Sequence, residues 1–452
     1  MSKPFQRKEN KIILQPVVIG RWVEYENDSR PVMAAEAWGG GPKKPRHTKR
    51  NNEIPEVDVS LKNLSNLYDW IEVRESQKIS SLKDARNIKS NDVDAFIAKS
   101  ATTDEIGPLL EELTKDGTII IPEWDNWGFS WYGRYLKGWA TNIGFPTFVP
   151  VGNKDIDTLL RALRVIHNLK DLKILYIGDI PSHSVNSNTV SISLYETFGV
   201  EMEQISMNEY SKKVKGVNKE KALKLVDVWN NNFNVMDNCD KKMEKYTSIY
   251  IALKELLNEY NANSFTVDCA YLPDVELVPC VTASLLIDEG YSFGCEGDIN
   301  QLIALEMLMS ASGYSGLMGN LLENAIHNDV INNEIVINHD VIPPSMACSG
   351  RVMNFRDFHA IKKGATLYAD MPQEEVTIGG ISFDSKSIWL SKGKIKWTED
   401  TVHCRLSIGI KVKDAVNIMK NALGHHQVLT YGNCYDAVKL AAEFLGLNII
   451  EL

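Results

Sequence analysis

GYSFGCEGDINQ, Gly290 to Gln301, places three glycines around one carboxylate, Glu296, and runs directly into LIALEMLM. The segment INQLIALEMLM spaces its apolar residues as a helix does. Glycine adopts backbone conformations closed to other residues, so the stretch predicts a tight turn that opens a helix. A carboxylate in such a turn, at the C-terminal edge of a sheet, is placed to bind a metal or accept a proton. The same position suits an ordinary helix N-cap, with Glu296 or Asp298 as the capping side chain.

Outward from this turn the pattern is α/β. From about Asp104, DEIGPLLEEL is a helical amphipath and GTIIIP a short buried strand. LLRALRVIHNL then reads as a helix, KILYIGD as a strand, PSHSVNSN as a polar loop and GVEMEQIS as a strand. A long helix from about Asp240 to Tyr260 leads into the strand and loop SFTVDCAYLP. Strands alternating with helices imply parallel sheets whose ligand sites lie at the strands' C-terminal ends.

After about Val330 the texture changes. EIVINHD, ATLYAD, EVTIGGISFD, SIWLSKGKIKW and CRLSIGIKV are short strands separated by turn residues, which predicts an antiparallel barrel or sandwich. YDAVKLAAEFLGL closes the chain as a helix and NIIEL as a last strand. The expected domains are an N-terminal α/β domain over 1–152, a central α/β domain with the EGD loop over 153–325, and a β-rich domain over 326–452.

Composition narrows the class. The 452 residues are 44% hydrophobic and 24% charged, an ordinary globular balance. No run of about 18 apolar residues exists to span a membrane, and MSKPFQRKEN lacks the apolar core of a secretory signal. Seven scattered cysteines without a CxxC pair fit reduced thiols in a cytoplasm. A net charge of −10 opposes a phosphate-binding surface, so nucleic acid is not expected as a partner. One stretch stands apart: Trp38 to Asn52 carries three glycines, two prolines and five Lys or Arg, a surface loop or a basic arm reaching a neighbouring subunit or an anionic substrate.

Three further segments hold candidate ligands. SGLMGNLLENAIHND offers Asn320 and Glu323. In EIVINHDVIPPSM, His339 ends a strand and Asp340 is placed to orient its other nitrogen. In ALGHHQVLTYGN, His425 and His426 are adjacent; neighbours in an extended chain point opposite ways, so one is expected at a site and the other elsewhere. Each of these residues has a structural reading as well. Together, carboxylate, amide and imidazole suit Mn²⁺, with Mg²⁺ or Co²⁺ as substitutes. No thiolate cluster accompanies them in sequence, so a structural zinc is not expected.

In this order, GYSFGCEGDINQLIALEMLM, LMGN, NEIVINHDVIPPSM and GHHQVLTYGN resemble the L-fucose isomerase and L-arabinose isomerase superfamily, over roughly Val278 to the C-terminus. The resemblance implies two Rossmann-like parallel-sheet domains followed by a barrel-like domain, in a homo-oligomer built on trimers or hexamers. It implies an active site near a subunit interface, covered by an aromatic from the adjacent subunit. It makes Glu296 both Mn²⁺ ligand and acid/base, and His339 and His426 metal ligands. The family's second carboxylate falls at or beside Asn320, whose amide can ligate a metal but not accept a proton. Either Asn320 is a ligand only, or Glu323 has taken the acid/base role.

The implied reaction interconverts an aldose and a ketose by moving a proton between C1 and C2 of the open-chain sugar through an ene-diolate. The segment PEWDNWGFSWYGRY supplies Trp124, Trp127 and Arg134 as sugar-binding candidates, alongside His425. Arg351 and Arg405 are candidates for an anionic substituent, which would fit a sulfonated or phosphorylated hexose. A non-catalytic sugar-binding or regulatory relative, and a metal-dependent hydrolase, are the competing readings.

Overall fold

A computed structural model describes residues 11–19, 60–88, 92–100, 106–123, 130–178, 187–322, 332–401 and 404–452. The chain divides into two compact units, Lys11–Asp157 and Thr158–Leu452. The basic stretch Trp38–Asn52 and the loop 181–186 lie outside the described residues.

The first unit is built on a parallel sheet of β1 (Ile12–Ile19), β2 (Ile71–Val73), β3 (Gln77–Ile79), β4 (Ala95–Ser100) and β5 (Ile119–Pro122). Its order is β2-β1-β4-β5, and the short β3 continues the β2 edge along the second half of β1. β1 reads IILQPVVI, an apolar run without alternation, because helices cover both faces of a parallel sheet. Val17, Ile19, Phe96, Leu110 and Leu136 form its core.

The second unit opens with β6 (Lys173–Ile177), β7 (Glu201–Ile205), β8 (Phe233–Val235), β9 (Ser264–Val267) and β10 (Ser292–Cys295). Four of these form a parallel sheet in the order β10-β9-β6-β7. The later strands are β11 (Gly316–Leu322), β12 (Glu334–His339), β13 (Met353–Phe358), β14 (Lys363–Tyr368), β15 (Glu375–Ile381), β16 (Ser387–Asp400), β17 (Leu406–Val412), β18 (His426–Tyr431) and β19 (Asn448–Glu451). The path β15-β18-β11-β12-β17-β16 is antiparallel throughout and closes through β15–β16, so the expected barrel is a true one with no free edge. β19 adds in parallel to the start of β16, and β8 joins β13 and β14 in a separate small sheet.

The helix Ile299–Ser312 joins the central sheet to the barrel. Nearly all its residues are buried, and it packs on β10, β11, β15 and β18. A helix apolar on every side belongs inside, as here. Its one buried acid, Glu306, accepts from Ser310 Oγ at 2.7 Å and from the Ser292 hydroxyl. His426 is the first residue of β18, inside the closed barrel path. No helix among the described residues is long and apolar enough to cross a membrane, and none of the seven cysteines forms a disulfide.

Candidate functional site

The turn after β10 is held from several sides. Glu296 has a left-handed φ of 53°, unusual for a residue with a side chain, and Gly297 follows at 75°. Gly294 is required for close approach: a Cβ there would stand 2.8 Å from the Asp298 carbonyl oxygen and 2.9 Å from Leu302 Cβ. The fully buried Thr266 clamps both sides of the turn, its hydroxyl donating to Gly294 O at 2.6 Å and accepting from Gly297 N at 3.1 Å. The N-cap of the following helix is Asp298, whose Oδ1 accepts from Gln301 N at 3.1 Å. Glu296 is thereby released from capping.

Asp298 has a second partner. Its Oδ2 lies 3.1 Å from His426 Nδ1, and both residues are buried. With Nδ1–H donated to that carboxylate, Nε2 of His426 keeps its lone pair. This Nε2 is buried, has no hydrogen-bond partner, and stands 3.8 Å from Glu296 Oε2.

His425 Nε2 is 3.9 Å from the same carboxylate oxygen. The expectation that the two adjacent histidines diverge is therefore corrected. His425 precedes β18 in a bend after Gly424, whose φ is 79°, so strand alternation does not govern it, and the two rings lie 4.0 Å apart.

The electrostatics follow from this grouping. The interaction with His425 is the main force holding the Glu296 carboxyl down to about 2, with His426 and His339 adding to it against the opposing effect of burial. His425 is raised in turn, chiefly by Glu296. His339 is pushed down to about 4, first by burial and then by His426.

His339 ends β12 with its ring 5.5 Å from that of His426. Its Nδ1 accepts from the backbone N–H of Asp340 at 2.8 Å, so the amide, not the Asp340 carboxylate, orients it. Asn320 pairs across the sheet with His426 on one side and Asn338 on the other, which puts its backbone at the site. Glu323, Trp124 and Trp127 lie outside the described residues. Arg134 is exposed on the helix Ser130–Ile143 of the first unit.

The two arginines of the β-rich region are already engaged. Arg351 is exposed and paired with Asp370. Arg405 is buried, pairs with Asp357 and Asp400, and donates from Nε to Asp357 O at 3.0 Å. A substrate anion would have to displace these carboxylates.

Among the described residues two groups bring metal-type donor atoms within 4.8 Å of one another: Glu296 with His425 and His426, and Asp340 with His359 and Cys404. The first fits a divalent cation. It offers one carboxylate and two imidazoles, with a buried Nε2 lacking any partner and an Asp298 carboxylate fixing the tautomer. Sequence reasoning singled out Glu296 and His426, which lie side by side here, but did not anticipate the contact of Asp298 with His426. Its signal was an acid two residues past the glutamate at a helix start, where a carboxylate has an oxygen to spare after capping.

Residues 185–313 match the L-arabinose isomerase central domain model. The sulfoquinovose isomerase of Alkalicoccus urumqiensis is 22% identical over 187 residues, 41% of this chain and 41% of that one. The L-arabinose isomerase of Mannheimia succiniciproducens is 22% identical over 284 residues, 60% of this chain and 52% of that one. A shorter stretch of 58 residues, 13% of this chain and 12% of the other, is 41% identical to the L-arabinose isomerase of Thermotoga petrophila. The matches thus span about half, or less, of these curated relatives. The central-domain match covers β7, β9, β10 and the helix that follows the Glu296 turn, and with these relatives it supports a divergent member of the arabinose isomerase-like superfamily.

Proposed function

We propose that the chain is a divalent-cation-dependent aldose–ketose isomerase, with Mn²⁺ as the working ion. The observation that carries the reading is the buried, partnerless Nε2 of His426 facing Glu296, with its tautomer set by Asp298. Glu296, His426 and His425 hold the cation, with His339 and the Asn320 amide oxygen as further donors beside them. Bound there, the ion supplies Lewis-acid polarisation of the open-chain sugar's carbonyl and compensates charge on its oxygens.

The chain's own groups move the proton. Glu296 accepts it from C2; in the metal-free protein the surrounding imidazoles, His425 first, hold its carboxyl down to about 2. A carboxyl held that low is a modest base, so its value lies in position and charge, and the acidity of C2 must come from the polarised carbonyl. The proton is returned at C1 by Glu296 or by Glu323, and the O2 hydroxyl proton passes to O1, so that C2 becomes the carbonyl and C1 carries the hydroxyl. Asp298 keeps His426 in its ligating tautomer throughout.

The names of the relatives supply the first substrates to try. Chelator-treated protein, with and without added Mn²⁺, is incubated with L-arabinose, sulfoquinovose, and a panel of 6-deoxy and pentose aldoses. Ketose formation that requires the metal, with solvent deuterium entering the ketose at C1, is the expected result. Metal binding without conversion of any aldose would favour the sugar-binding reading and overturn this one.

A further inference from the structure

Beside His339 lies a second set of donors. Asp340 follows β12, His359 sits in the turn between β13 and β14, and Cys404 lies two residues before β17. His359 Nε2 is 2.8 Å from Asp340 Oδ2 and 3.3 Å from Cys404 Sγ. Asp340 is 1% exposed and Cys404 4%.

The carboxylate of Asp340 is only half used. Oδ1 accepts from Arg405 N at 2.9 Å. Oδ2 is buried and receives no aligned hydrogen bond: His359 Nε2 stands 2.8 Å from it but is paired with the Cys404 sulfur, which itself interacts with the Asp340 carboxyl. The neighbouring cation does not neutralise it either, since the Arg405 guanidinium is spent on Asp357, Asp400 and Asp237. A buried carboxylate oxygen with no donor is costly unless a cation meets it.

The backbone fixes the imidazole in place. His359 has a left-handed φ of 49°, and its ring stacks on Phe358 at 3.7 Å. One thiol, one imidazole and one carboxylate oxygen, all within 4.8 Å, form a donor set suited to a tetrahedral ion with water in the fourth position. Sulfur separates this set from the oxygen-and-nitrogen group at Glu296, so the two should differ in the ions they select.

We propose that Asp340, His359 and Cys404 form a second metal site, selective for Zn²⁺-type ions, which clasps the end of β12, the β13–β14 turn and the start of β17 beside His339. It does not depend on the isomerase reading, and it stands if that reading fails.

The test uses the full chain, dialysed against chelator and titrated with Co²⁺ as a spectroscopic probe. A cobalt–thiolate charge-transfer band that saturates with added Co²⁺ and is removed by Zn²⁺ is expected. It should persist in Glu296→Gln, vanish in Cys404→Ser, and need at least about tenfold more Co²⁺ in His359→Gln. Metal should also raise the melting temperature of wild type more than that of His359→Gln. No thiolate band in wild type, or a band unchanged in Cys404→Ser, overturns the site. Should Cys404→Ser fail to fold, the half-exposed His359→Gln decides: unaltered cobalt affinity there overturns it equally.

Discussion

The Asp298 carboxylate lies 3.1 Å from His426 Nδ1 through one oxygen and caps the helix Ile299–Ser312 through the other, so one side chain sets both the helix start and the histidine tautomer. The two roles can be separated. Asn caps a helix about as well as Asp, so Asp298→Asn should keep thermal stability within about 1 kcal/mol. Its amide cannot act as the charged acceptor for Nδ1–H while also capping through its single oxygen. Mn²⁺ affinity, measured by calorimetric titration, should fall about 10–100-fold. Unchanged affinity would mean that His426 needs no such partner.

Glu296 is the acid on which the isomerase reading rests. Glu296→Gln keeps the size and polarity of the side chain but removes its charge and its ability to accept a proton. Ketose formation should drop by about 10²–10⁴-fold, the usual contribution of general acid–base help, and more if the ion is also lost. Near-wild-type turnover in this variant, with Mn²⁺ present, would remove Glu296 from the chemistry.

Much of this was legible in the sequence, and the reasons are local. The Val330–Val412 strands alternate with turn residues and could be recognised singly, while the closure β15–β16 that makes them a barrel depends on long-range pairing. β18 was missed because HHQVLTY follows a short helix and carries adjacent histidines where a strand should alternate. β8 is three residues long and pairs with β13, which lies more than a hundred residues later, so no short-range pattern announces it. Glu296 stood out through its glycines. Asp340, His359 and Cys404 did not, because nothing in their spacing shows that a barrel brings them together.

The imidazole and carboxyl groups also set a pH response for the metal-free protein. His339 is pushed down to about 4 from an ordinary 6.5, so between these values the unfolded chain binds a proton that the folded one refuses. Stability should therefore fall as pH drops from 6.5 towards 4. Glu296, held down to about 2 against 4.5, adds stability that is present above 4.5 and is lost as pH falls through about 2. His425 acts in the opposite sense: its raised value gives stability that is present below 6.5 and is lost as pH rises through the folded value. Urea midpoints across this range should show a flatter upper acid limb in His339→Gln and a flatter lower limb in Glu296→Gln. Parallel curves for wild type and both variants would contradict these assignments.

Thr266 offers a way to disturb the Glu296 turn without touching the acid. Its buried hydroxyl joins Gly294 O to Gly297 N, the residues on either side of the Cys295–Glu296 pair. Thr266→Val keeps the shape but leaves both backbone groups without that partner, at about 1–3 kcal/mol for each one left unsatisfied. Thr266→Ser keeps the hydroxyl and loses only a methyl group. If the clamp positions Glu296, the valine variant should lose kcat well beyond its loss of stability, measured at a temperature where it remains folded, and the serine variant should recover most of it. Equal kcat in the two variants would show that the left-handed Glu296 conformation is held by the glycines and the following helix alone.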